Sequence, residues 1–243
     1  MGKPYHAGMA ASNGIEAAKL SKLGFVSRED GIECDQGFFL THGWDKKTPS
    51  RALDNLGTDF LFPEIKYKFH ACCHGLHSFL EALEELKQEN NFNPESIEEI
   101  AIETNPSWLK VCNIQEPKTG LESKFSYKLT AAMSIYGKDT ADLGTYNDDI
   151  CFDDKMNNIR DKVKVIPNDQ LSNTQSLISI KDGSRDIKNK HDLSDKIDQN
   201  ILETKIVNKS ASLLSKNKSH EISKMLNAPS ESKVSSLVDC LVG

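Results

Sequence analysis

The chain has no apolar run approaching the about eighteen residues that a bilayer-spanning helix needs, so no segment of it reads as a membrane span. It has no basic excess: the formal net charge is -6 at pH 7, and Lys and Glu are interspersed rather than blocked, so the footprint of a nucleic-acid partner is missing. The opening residues MGKPYHAGMA lack the apolar core of a signal peptide. Position 6, where a myristoylation signal calls for Ser or Thr, is His6. The six cysteines, Cys34, Cys72, Cys73, Cys112, Cys151 and Cys240, follow no disulfide framework, and no internal repeat is present. The expectation is a cytoplasmic protein with reduced thiols.

What is there is organised around Ile65 to Lys87, IKYKFHACCHGLHSFLEALEELK. Leu76, Phe79, Leu80, Leu83 and Leu86 recur at helical spacing, with Glu81, Glu84, Glu85 and Lys87 opposite, which predicts a surface helix with one buried face. His77 falls in its first turn, where orphan amides and the partial positive charge of the helix start disfavour an imidazolium and attract carboxylates. A neutral histidine beside an anion site suits proton transfer. The same stretch offers His70, Cys72, Cys73, His74 and His77 as metal ligands, but zinc sites pair ligands two to four residues apart and add a distant second pair, which is missing. A third reading has Cys72 and Cys73 as small hydrophobes filling a strand-to-helix junction.

Along the chain, Ala7 to Leu23 predicts an N-terminal helix closed by Gly24-Phe25, with small residues on several sides that suit close neighbours. Residues 26–63 read as turns and connector, with a short helix near Ser50 to Leu56. Glu99 to Thr104 alternates as a half-buried strand. Thr119-Gly120-Leu121-Glu122 fits a capping box opening a helix with Leu121, Phe125, Leu129, Ala132, Met133 and Tyr136 on one face, ended by Gly137. Lys124 and Lys128 share another face, the usual pattern of a solvated stripe. A short helix near Asp154 to Asp161 precedes strands at Val163 to Ile166, Gln175 to Ile180 and Arg185 to Asn189, the last two joined by an Asp182-Gly183 hairpin. Helices over Ile201 to Leu214, Glu221 to Leu226 and Val234 to Leu241 close the chain. The fold class is α+β.

Lys3-Pro4-Tyr5-His6-Ala7-Gly8 resembles the KP-x-H-A-G signature of the MmgE/PrpD family, which includes 2-methylcitrate dehydratase, cis-aconitate decarboxylase and iminodisuccinate epimerase. Phe69 to Cys73 with His77, Val111-Cys112-Asn113, Thr119 to Ser126, Asp139 to Leu143 and His191-Asp192-Leu193 are similar to later landmarks of that family in the same order. The resemblance implies a small mixed α/β lid between helical segments of a truncated all-α domain. Residues 1–62 would be partial helical domain and connector, 63–192 the lid, and 193–243 helices returning to the helical domain. It covers only about the latter half of the family's length, so an N-terminal half or a second copy (a dimer) is the expected partner.

The resemblance further implies cofactor-free, metal-free chemistry on small di- or tricarboxylates: proton abstraction next to a carboxylate, then loss of water, loss of carbon dioxide, or reprotonation. Lys3 and His6 match the KP-x-H positions, His77 the lid-side histidine, and Lys124 the basic position that would bind a substrate carboxylate. The family also draws an Asp, a Thr and further histidines from its N-terminal half, which have no counterparts here. The expectation is therefore a lyase or isomerase completed by a missing half. The alternative is a catalytically silent, partner-binding remnant.

Overall fold

A computed structural model describes residues 2–43, 54–62, 65–228, 230 and 233–242, apart from the side chains of Lys3 and Pro4. Two compact units divide the chain, Met1–Ile65 and Lys66–Gly243.

The first unit holds α1 (Gly2–Lys22) and α2 (Phe38–Thr41). Gly24 takes φ +82°, so that the Phe25 amide donates to Leu20 O and the Gly24 amide to Ser21 O, the paired closure expected of a helix ended by glycine. Every described side chain of α1 from Tyr5 onward is exposed. The short helix predicted near Ser50 to Leu56 falls partly on residues 50–53, outside the described residues, and its described remainder is turn.

The second unit runs α3 (His77–Glu89), β1 (Ile97–Thr104), α4 (Pro106–Leu109), α5 (Gly120–Ser123), α6 (Tyr127–Ile135), α7 (Asp154–Asp161), β2 (Val163–Pro167), β3 (Gln175–Asp182), β4 (Arg185–Asp192), α8 (Gln199–Leu214), α9 (Lys216–Asn227) and α10 (Val234–Val242). The sheet order is β2-β1-β3-β4, with β1 parallel to β2 and antiparallel to β3, and β3 antiparallel to β4. Gly183 at φ +60° supplies the left-handed turn that lets Asp182 pair with Arg185. Ile100, Ile102, Ile178 and Ile180 give the sheet its buried face, and α3 packs on β3 and β4 while α6 packs on α3, α7 and β2. The α+β expectation holds.

Two further local expectations fail. The helix predicted from Thr119 to Gly137 is two helices. Thr119 does cap Glu122, but the Glu122 carboxylate reaches past the cap to the Lys118 amide at 2.6 Å. The chain then leaves the helix because Phe125 O accepts from the Ile114 amide at 3.0 Å and Ser126 bridges to Asn113. Ser126 caps a fresh helix through the Leu129 amide. That extended pairing outcompetes helix propagation, so Leu121 is exposed, and Lys124 sits in the turn while Lys128 sits on α6. The second failure is Glu81, assigned to the polar side of α3 but only 5% exposed. It has buried partners, described next.

Candidate functional site

The approach to α3 is a pinned loop. The Ala71 amide donates to Thr140 O at 2.8 Å, the Cys73 amide to Lys124 O at 2.9 Å, and the Tyr127 hydroxyl to Gly75 O at 2.7 Å. Gly75 is required sterically, since a Cβ there would lie 2.5 Å from the Trp108 ring and 2.8 Å from Cys112 Sγ. A 3-10 turn, His74–Leu76, then leads into α3, whose first residue is His77.

His77 has no solvent exposure, and among the described residues no group hydrogen-bonds to either ring nitrogen. Its ring lies 5.1 Å from that of His70 and 5.2 Å from that of His74, centroid to centroid. Burial, reinforced by His70, His74 and Lys68, pushes the imidazole down to about 2, against a weaker opposing pull from Glu81. The neutral histidine expected from the helix start is present, but burial is the main cause.

Both nitrogens of His70, by contrast, are engaged. Nδ1 lies 2.7 Å from Thr140 Oγ1 and Nε2 3.2 Å from Glu81 Oε1, all within the interior. Lys205 of α8 donates to the other Glu81 oxygen and stands 5.1 Å over the Phe69 ring. Burial alone would raise the Glu81 carboxyl, but the hydrogen bonds from His70 and Lys205 outweigh it and hold the group at about 2. A cavity of about 670 Å³ opens beside this network, lined by His70, Glu81, Thr140, Lys205 and Lys209 among others.

Lys124 lies near the same loop through its carbonyl, and its Nζ stands 5.7 Å over the ring of Tyr146, whose hydroxyl donates to Thr140 O at 3.1 Å. His77 and Lys124 therefore belong to one unit and share the loop's supports. His6 lies exposed on α1 in the first unit, and the backbone of Lys3 belongs to the same helix. Among the described residues no group of three or more His, Cys, Asp or Glu is arranged to hold a metal ion, and His70 has no nitrogen left to offer one. The buried Cys72 thiol is pushed up to about 12 by burial, and the Cys112 thiol is raised by its hydrogen bond with Cys73 and by burial. Cys72 packs as a small buried hydrophobe, as the junction reading expects of it, and Cys73 is half-buried, but the junction is not strand to helix: residues 65–73 form no strand and reach α3 as a loop and a 3-10 turn.

Glu81, Thr140 and Lys205 were not read as site residues from the sequence, although Thr140 lies in the Asp139 to Leu143 landmark, a signal that could have pointed to it. Thr140 and Lys205 come from 70 and 124 residues away from the groups they bond, where periodicity carries no signal.

A pH dependence follows. An unfolded chain protonates His77 as pH falls through its ordinary 6.5, while the folded chain keeps it neutral to about 2. Glu81 behaves alike between its ordinary 4.5 and about 2. In both ranges the unfolded state binds more protons, so acid lowers stability. Urea midpoints measured across pH are expected to start falling near 6.5 and to fall more steeply below 4.5. A flat profile between those two values contradicts a neutral buried His77.

Compared with known families, residues 70–228, well over half of the chain, match the model described as the MmgE/PrpD C-terminal domain. No curated protein matches the chain.

Proposed function

We propose, from the premise that this chain belongs to the MmgE/PrpD family through its C-terminal domain, that it serves a lyase or isomerase acting on small di- or tricarboxylates, with a 2-methylcitrate dehydratase-like reaction. His77 takes the proton from the carbon next to a substrate carboxylate. The electron pair left behind expels hydroxide from the neighbouring carbon, which leaves as water once protonated, or is reprotonated on the other face; in the decarboxylating variant no such abstraction comes first, and the pair freed when the bond to carbon dioxide breaks stays on carbon and takes a proton. Lys124 binds a substrate carboxylate, with His6 and Lys3 as further catalytic groups. The reading calls for no cofactor and no metal, places the protein in the cytoplasm, and has a helical half of the family or a second copy supply the other groups.

The observation that carries it is the pair of free, buried nitrogens on His77. An unsatisfied buried polar group costs about 1–3 kcal/mol, so a site that keeps one retains it at the expense of stability. Burial first, and the nearby Lys68 ammonium as well, make the resting imidazole a weak base. A substrate carboxylate arriving beside Lys68 offsets that charge and raises its basicity. His74, partly exposed, is the neighbour of His77 nearest to solvent among the two histidines beside it.

Incubating the chain in D2O with 2-methylcitrate, cis-aconitate or iminodisuccinate tests this by NMR: reprotonation or decarboxylation places deuterium on carbon, and dehydration appears as a new alkene. Deuterium incorporation or alkene formation with at least one acid is expected. Neither with any acid, with and without a helical family half, overturns the reading. A second reading, a catalytically silent partner-binding protein, is favoured by the exposure of every described side chain of α1 from Tyr5 onward, with Tyr5 and Ile15 at 66% and 59%, followed by Leu23 at 84%. Absence of exchange and of alkene formation together with self-association selects it.

A further inference from the structure

His70 and His77 are neighbouring imidazoles with opposite hydrogen-bonding states. Their rings meet edge to face, 5.1 Å apart and inclined by 74°, yet they are not hydrogen-bonded to each other. Left to itself, an enclosed histidine pair lowers its energy by one ring N–H donating to the other's lone pair, because a buried nitrogen without a partner is costly. What prevents this is the occupation of His70 at both ends. We infer that Glu81 and Thr140 are positioning residues that clamp His70, and so keep the nitrogens of His77 free for substrate.

The roles follow from donor and acceptor chemistry. An ionised carboxylate accepts only, so Glu81 Oε1 takes the Nε2–H of His70. That leaves Nδ1 as the lone-pair nitrogen, which the Thr140 hydroxyl satisfies as donor at 2.7 Å. The tautomer is thereby set and the ring cannot swing without breaking both bonds. Each clamp is itself held. Glu81 sits on α3, four residues after His77, and its second oxygen is taken by Lys205 from α8. Thr140 is fixed by its carbonyl, which accepts from both the Ala71 amide and the Tyr146 hydroxyl. The side chains of His70 and Glu81 are 8% and 7% exposed, so water does not compete freely for these bonds.

This inference rests on the proton-transfer reading of His77, but its test has an arm that does not. Ring-nitrogen correlation spectra of the 15N-labelled full chain report tautomer and hydrogen bonding for each histidine. In the unaltered protein, His70 is expected in the Nε2–H form and His77 with non-bonded nitrogens. Thr140→Val, nearly isosteric, removes only the donor to Nδ1. It is expected to release His70 and move the His77 nitrogens to hydrogen-bonded shifts, with deuterium exchange slowed at least about tenfold in kcat and little changed in KM. Thr140→Ser restores the hydroxyl and is expected to recover both spectrum and rate. Glu81→Gln, which weakens the preference for Nε2–H, is expected to give mixed His70 tautomers. Should it fail to fold, Thr140→Val alone decides. Unaltered His70 and His77 resonances in Thr140→Val, or no recovery with Thr140→Ser, overturn the clamp. If no acid exchanges or turns over in the unaltered protein, the catalytic reading falls while the spectra still decide the positioning role.

Discussion

Replacing His77 with leucine, close to it in volume, is expected to lower deuterium exchange into a substrate acid about 100-fold or more while the melting temperature holds or rises. The two effects have one origin. Proton transfer by a positioned side chain contributes about 10²–10⁴-fold, and leucine has no nitrogen to accept the proton. Among the described residues the native imidazole has no hydrogen-bond partner that leucine would forfeit, and removing two unsatisfied buried nitrogens relieves a penalty of about 1–3 kcal/mol, offset in part by imperfect packing. The step in acid stability that begins near 6.5 should vanish in this variant, leaving the Glu81 step below 4.5. A histidine kept for structure behaves in the opposite way, losing stability when replaced. If His77→Leu melts well below the unaltered protein and exchanges at the same rate, the residue is a packing group and its catalytic role is wrong. His77→Ala should abolish exchange too, but it also opens a cavity, which makes leucine the cleaner substitution.

Phe79→Ala is expected to cost about 3–5 kcal/mol of unfolding free energy, the range for removing a large buried aromatic. Phe79 is fully buried on α3, and its ring lies 5.2 Å from that of Tyr127. Tyr127, also fully buried, donates to Gly75 O at 2.7 Å and lies 3.2 Å from Thr104 Oγ1, so it ties the histidine loop to the sheet. A void beside it should loosen the loop as well as the core. Urea unfolding should therefore show a lower midpoint, and the ring-nitrogen signals of His70, His74 and His77 should broaden. A loss below about 1.5 kcal/mol would mean that the surroundings collapse into the gap and that Phe79 is not a principal support of the loop.

The local elements were legible because they are written in neighbouring residues. The apolar spacing from Leu76 to Leu86, the alternation from Glu99 to Thr104, the Asp182-Gly183 hairpin and the helix of Asp154–Asp161 all appear where periodicity and turn chemistry put them. Motif order gave the family, which the domain match over residues 70–228 bears out. The same local logic misread Thr119 to Gly137. Nothing in that window announces that Ile114 will take the Phe125 carbonyl and split the helix.

By itself, then, the sequence determined the α+β class, the family, and the candidacy of His77 and Lys124. Only the tertiary structure decided their circumstances: that His77 is buried with both nitrogens free, that Glu81 is an interior anion rather than a surface charge, and that Thr140 and Lys205 complete the network around His70. The reason is physical. Propensity and periodicity act over one or two turns of chain. Burial and hydrogen-bond satisfaction are set by groups brought together from 70 and 124 residues away.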